Sequence, residues 1–236
     1  MPYDAVFLDL DDTLYPYPPC NEAGKEAARE AFLELGYDLD REEFTDLYRE
    51  GRRAVKRELA GTASAHERFL YFKRAIESHT GTHRSGDALR LGEAYWDAYV
   101  DEMTLFDGVV ETLAALQDAG VDVAVVTNLT TRIQLEKLDR LGIDEHVDLL
   151  LTSEETGREK PGAVMFTLPL ARLGLRASEV LMVGDDVEAD VGGANAVGLD
   201  TALFNGPDDV VVDDLPDDRR PDHTITDFTA LSEVVV

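Results

Sequence analysis

In the run Asp9-Leu10-Asp11-Asp12-Thr13, two aspartates stand two residues apart directly after a short apolar stretch. Residues two apart in an extended chain face the same way, so the Asp9 and Asp11 carboxylates share one space. Close carboxylates repel unless a cation joins them or one keeps its proton. A hard dication bound through oxygens meets that need, and a backbone carbonyl can serve as a ligand; an acidic turn also accounts for the pair. Further along, Thr127-Asn128 offers a hydroxyl and an amide, able to bind an anion or to cap the helix beginning near Thr130. Lys160 precedes Pro161, and proline favours a first helical turn, so the spacing predicts a lysine at a helix N-terminus. That is the wrong end of the helix dipole for a cation, unless an anion lies between them; a solvated lysine is the lesser alternative in a chain with only five lysines. Asp185 and Asp186 follow Val183-Gly184, with Glu188 and Asp190 behind. Acids in a first helical turn complement the dipole, yet Asp185 ends an apolar run just as Asp9 does. Three carboxylates, a lysine and a threonine at such points favour a cation-and-phosphate site over independent accidents.

What must position these residues is a set of strands. Apolar runs predict buried strands at 4–9, 121–127, 147–152, 180–184 and 201–204. Helical patterns lie between them at 109–119, 132–141, 163–173 and 189–197. Gly120, Gly142, Gly174 and Gly198 follow these, each where a helix would end in a left-handed cap. Strand, helix and glycine repeating in this order predict an α/β fold with a parallel sheet and crossover helices. Ligands of such sheets bind at the carboxyl edge, where all four stations fall. Pro169 interrupts one helical pattern and should kink it or shift its register. Residues 208–218 are too acidic and proline-broken to assign; 223–225 reads as a last strand and 229–235 as a short helix.

The stretch from about 21 to 100 differs. It carries helical patterns at 41–59, 65–78 and 87–100 and no convincing strand, which makes it a helical insert between the first strand and the rest. The expected division is 1–15 with 101–236 as the core and 16–100 as the insert.

Composition sets the outer limits. With 236 residues and 44% hydrophobic content the chain can bury a full core plus a smaller unit. No stretch approaches the ~20 apolar residues of a membrane span, Asp4 and Asp9 interrupt any leader-like start, and the one cysteine, Cys20, cannot form an internal disulfide. These features suggest a cytoplasmic protein. The 22 basic and 49 acidic residues give a net charge of −27, against roughly 2–8 in magnitude for an ordinary small domain. Such a chain repels nucleic acid and anionic lipid, so neither is an expected partner. Dispersed acids with only five lysines suit a cytosol full of salt; an acidic surface in ordinary cytosol is the alternative. No dinucleotide-binding or P-loop glycine pattern occurs, and the five histidines show no metal-ligand spacing. Tyr15 and Tyr17 suggest aromatic packing at the domain joint, with a place facing the substrate as the alternative, and Arg52 and Arg53 a solvated helix face, with a contact to a substrate anion as the alternative.

The motifs FLDLDDTL (7–14), VVTN (125–128), Lys160-Pro161 and VGDDVEAD (183–190) occur in one order. In this the chain resembles the haloacid dehalogenase superfamily hydrolases, over essentially its whole length. The resemblance implies a Rossmann-like parallel sheet with helices on both faces and a helical cap inserted after the first motif. It implies Asp9 as nucleophile and Asp11 as the acid that protonates the leaving alcohol and then activates water. Thr127, Asn128 and Lys160 would bind the phosphate. Mg²⁺ would sit among Asp9, the Asp11 carbonyl and Asp185, with Asp186 and Asp190 in outer-shell support. Members that cleave carbon–halogen bonds lack an acid at the second aspartate and phosphonate-cleaving ones carry a small residue, so Asp11 points to phosphate esters. The implied function is a Mg²⁺-dependent phosphomonoesterase acting on a small phosphorylated metabolite. A phosphomutase, or a non-catalytic phosphate-binding module on the same fold, are the rivals. The motifs choose neither the substrate nor an oligomeric state.

Overall fold

A computed structural model describes residues 3–205 and 211–236. In chain order the main elements are β1 (Ala5–Leu8), α1 (Tyr17–Glu34), α2 (Arg41–Glu58), α3 (Arg68–Thr80), α4 (Ser85–Glu102), α5 (Val109–Asp118) and β2 (Asp122–Thr127). They continue with α6 (Thr131–Leu141), β3 (Leu149–Thr152), α7 (Ser153–Thr156), α8 (Val164–Leu173), β4 (Val180–Gly184), α9 (Gly193–Asn195), β5 (Asp200–Phe204), β6 (His223–Ile225) and α10 (Ala230–Val235). The chain divides into two compact units, Met1–Pro16 with Thr104–Val236, and Tyr17–Met103.

The first unit is built on a six-stranded sheet in the order β3-β2-β1-β4-β5-β6, every neighbouring pair parallel. All four β1 residues and all five of β4 are buried, so both faces of the sheet are covered. On one face Ala5, Phe7, Ala124, Val126, Val180 and Met182 pack against Met165, Phe166 and Leu170 of α8. Each fully buried side chain of that size removes enough apolar surface to contribute ~1.5–3 kcal/mol, which is what ties the helix down. The chain runs outward from β1 through β2 to β3, then returns to add β4 on the other side of β1. Strand order therefore reverses at β1/β4, and a parallel sheet opens its ligand crevice at the carboxyl ends of such strands.

Two helical expectations are corrected. The segment 189–197 is not one α-helix: a π-helical stretch spans Val187–Gly192 and only Gly193–Asn195 is α-helical. Nor does Lys160 open a helix, because α8 starts at Val164, beyond Pro161 and Gly162, and runs through Pro169 to Leu173. Of the acidic stretch 208–218, residues 208–210 lie outside the described residues; Val212–Asp214 and Asp217–Arg219 are short 3₁₀ turns.

The second unit is helical throughout. Asp40 caps α2 by accepting from the Glu43 backbone N–H, and Glu43 returns the bond to the Asp40 N–H. Its interior is aromatic: Tyr48, Tyr71, Phe72, Tyr95, Trp96 and Tyr99 pack together around a buried Arg68. The helix α1 was not among the sequence patterns. Its Gly24, which reads as a breaker, is a contact point: a Cβ there would lie 2.8 Å from the Tyr95 carbonyl oxygen of α4.

Candidate active site

Asp9 is the first residue beyond β1, and its N–H donates to the Val183 carbonyl at 2.9 Å, extending the ladder by one bond. That bond carries the carboxylate to the reversal point, where it is 8% exposed. Lys160 reaches it from the loop before α8. The Lys160 ammonium donates to Asp9 Oδ1 at 2.6 Å and to Asp190 Oδ1 at 2.7 Å, all three side chains being nearly buried. The anion expected beside Lys160 is thus a pair of the chain's own carboxylates, and no helix dipole is involved. The loop is pinned by Asn128, whose Oδ1 accepts from the Lys160 backbone N–H at 2.8 Å; the Lys160–Pro161 peptide is cis.

Asp185 follows β4 directly, and oxygens of Asp9, Asp185 and Asp190 all lie within 4.8 Å of one another. Asp190 enters this group because Gly184 has no side chain, since a Cβ there would strike the Asp190 carboxylate. The second Asp190 oxygen accepts from the Asp186 N–H at 3.1 Å. Burial pushes the Asp9 carboxyl up to about 7; Lys160 opposes this, while Asp190 and Asp11 add to it. Burial likewise pushes Asp185 up to about 9, reinforced by Asp9, Asp190 and Asp12. Burial works against the charge on Lys160, but Asp190 and Asp9 outweigh it and hold the ammonium above its usual range.

Three gathered carboxylates against one ammonium are two positive charges short of balance, and oxygen is the only donor type the carboxylates offer a cation. Such a set fits a hard dication. The group differs from the expected one in two respects. Asp190 lies in the cluster itself, whereas Asp186 points elsewhere: its Oδ1 accepts from the Glu188 and Ala189 N–H groups at 2.8 Å, capping the π-helical stretch.

Asp11 takes different partners. Asp12 adopts a left-handed φ of 59°, the chain turns back, and Asp11 bridges to Tyr15. The Tyr15 hydroxyl donates to Asp11 Oδ1. Lys137, from α6, donates to Asp11 Oδ1 at 2.7 Å and Oδ2 at 3.0 Å. Thr127, the last residue of β2, is fully buried; Gln134 of α6 donates to its hydroxyl at 2.6 Å and to the Asn128 carbonyl at 2.7 Å. Sequence reasoning missed Gln134 and Lys137. They lie three apart on α6 and both are buried, while Leu135 between them is 54% exposed, an inversion that the sequence pattern does not signal. Tyr15, expected to pack at the domain joint, also holds a site carboxylate.

A model of the haloacid dehalogenase-like hydrolase family matches residues 3–198. Over 235 residues the chain is 60% identical to a ribulose-1,5-bisphosphate 5-phosphatase of Halopiger xanaduensis, covering 98% of each chain. A glyceraldehyde 3-phosphate phosphatase of Methanopyrus kandleri is 33% identical over 232 residues, 98% of this chain and 96% of that one. A solved 2-haloacid dehalogenase from Pseudomonas syringae pv. Tomato DC3000 gives a TM-score of 0.77, covering 99% of this chain and 98% of that one at 24% identity, a likeness of fold.

Proposed function

The chain belongs to the haloacid dehalogenase-like hydrolase family and is a phosphatase, and we propose that it removes the 5-phosphate of a ribulose bisphosphate. The 60% identity to the Halopiger enzyme across 98% of both chains carries that choice of substrate. The more distant glyceraldehyde 3-phosphate phosphatases offer a second, smaller sugar phosphate. In either case the ester is a primary alkyl phosphate, whose alkoxide leaves poorly unless it is protonated as the P–O bond breaks.

The chain's own residues supply that chemistry. The Asp9 carboxylate attacks phosphorus and becomes an aspartyl-phosphate, while Asp11 gives its proton to the departing oxygen. Water then attacks the aspartyl-phosphate, Asp11 takes the water's proton, and inorganic phosphate leaves with Asp9 restored. Lys160, already beside Asp9, and Thr127 with Asn128 hold the phosphoryl oxygens and keep the nucleophile oriented. Mg²⁺ would be held by Asp9, Asp185 and the Asp11 carbonyl, with Asp190 steadying them, and bound there it supplies positive charge to the phosphoryl oxygens. The unit Tyr17–Met103 is read as the cap that selects the substrate.

No helix among the described residues is long and apolar enough to cross a membrane. With the net charge of −27, this supports a cytoplasmic enzyme adapted to high salt.

The test is phosphate release from ribulose 1,5-bisphosphate and from glyceraldehyde 3-phosphate, with ³¹P NMR identifying the ester lost. Preference for the bisphosphate, with the 5-phosphate signal disappearing, is the expected result. Preference for the triose phosphate would replace this substrate by the second reading.

A further inference from the structure

We propose that Lys137 is a positioning residue for the reaction: through Asp11 it sets the orientation from which that carboxyl passes its proton to the leaving oxygen. The inference rests on the reading of Asp11 as the general acid. Lys137 is 1% exposed, and its ammonium forks across both Asp11 oxygens at 2.7 and 3.0 Å. The Tyr15 hydroxyl donates to the nearer of these, Oδ1, and the Tyr15 ring lies with its centroid 5.7 Å from the same ammonium. Lys137 across both oxygens and Tyr15 on Oδ1 together hold the plane of the carboxylate. Lys137 itself neither gains nor loses a proton in the step.

Packing alone does not explain Lys137. An ammonium taken out of water is costly unless it is paired, and α6 has a leucine, Leu135, turned 54% outward while Lys137 is turned in. The chain has five lysines, and the two that are buried, Lys137 and Lys160, each end on an aspartate of the first motif. Asp11 needs such a grip. It stands past the end of β1, beside the left-handed turn at Asp12, and its side chain keeps 30% exposure. A displacement of ~1 Å in a reacting group costs on the order of 10²-fold in rate.

The experiment measures kcat of the Mg²⁺-loaded enzyme on an alkyl phosphate and on p-nitrophenyl phosphate, whose phenolate needs little protonation. It compares wild type, Lys137→Met, Asp11→Asn and the double variant, with Lys137→Gln and Tyr15→Phe as milder changes should Lys137→Met fold poorly. Lys137→Met is expected to lose ~10–100-fold on the alkyl ester and under ~3-fold on the aryl ester. Added to Asp11→Asn it should cost nothing further, and Tyr15→Phe should show a smaller loss of the same selectivity. Equal losses on both esters, or full additivity in the double variant, overturn the inference. If Asp11→Asn is itself blind to the leaving group, the general-acid reading falls and the inference with it. If Asp11→Asn is selective and Lys137→Met is not, the reading stands and the inference alone falls.

Discussion

Replacing Lys160 by methionine removes the ammonium held between two buried carboxylates, 2.6 Å from Asp9 and 2.7 Å from Asp190. Taking one partner from such a buried group costs ~3–5 kcal/mol, because the opposite charge is left stranded. Protons can partly take the lysine's place, and that makes the cost depend on pH. Burial already raises Asp9 to about 7, with Lys160 holding it down from higher values. The unfolded carboxyl has its ordinary value near 3.8, so the folded state binds the extra proton and loses stability as pH rises through the folded value. Without Lys160 that value moves higher still. The folded variant then keeps a proton that the wild type gives up above about 7, and its stability goes on falling where the wild type's levels off. At ~1.4 kcal/mol per pH unit, the ~1.5 units up to about pH 8.5 add ~2 kcal/mol. The substitution should therefore cost ~3 kcal/mol at about pH 6 and ~5 kcal/mol at about pH 8.5, widening the Tm gap by ~4–8 °C. Calorimetry of both proteins in EDTA at the two pH values measures this. A cost that is equal at both, or larger at the lower pH, would refute the electrostatic account of the cluster.

Three further outcomes are expected. Mg²⁺ at about a hundred times its Kd should stabilise the wild type by ~2.7 kcal/mol in thermal melts at neutral pH, and Asp185→Asn, which removes a carboxylate of the cluster, should abolish the shift. Molar KCl shortens the Debye length to ~3 Å and relieves the self-repulsion of a −27 chain; since surface ion pairs are worth only ~0–1 kcal/mol each, the melting temperature should rise steeply with salt, and a flat response would remove the high-salt reading while leaving the phosphatase untouched. Gln134→Leu removes the donor to the Thr127 hydroxyl and the Asn128 carbonyl; it should lower kcat/KM ~10-fold while costing under ~2 kcal/mol in denaturant unfolding, and unchanged kinetics would show that Thr127 needs no such support.

The parallel sheet was legible because its central strands are buried on both faces and read as unbroken apolar runs, and Val180–Gly184 was located to the residue. Asp9, Lys160 and Asp185 were legible because each stands at a strand end or in a loop, where a charged residue in an apolar setting is conspicuous. Helix-borne site residues were not. Gln134 and Lys137 look like the polar face of an amphipathic helix, and only the sheet's reversal at β1 decides that this face turns inward. That the Asp190 carboxylate joins those of Asp9 and Asp185 was not legible, because a regular helix was expected where the chain is π-helical and Gly184 opens the space its carboxylate enters. The helix α1 was hidden by Pro18, Pro19 and Gly24. Prolines are tolerated in a first turn, and the glycine is required by the close approach of α4.

The central claim is that Asp9 takes the phosphoryl group from the substrate's 5-position. It is tested most directly by single-turnover reaction with a bisphosphate labelled at that phosphate, acid quenching, and peptide mapping by mass spectrometry. One phosphoryl group on the peptide that contains Asp9, appearing before inorganic phosphate and absent in Asp9→Asn, is the expected result. Turnover with no label on the protein, or with the label on another residue, would contradict it.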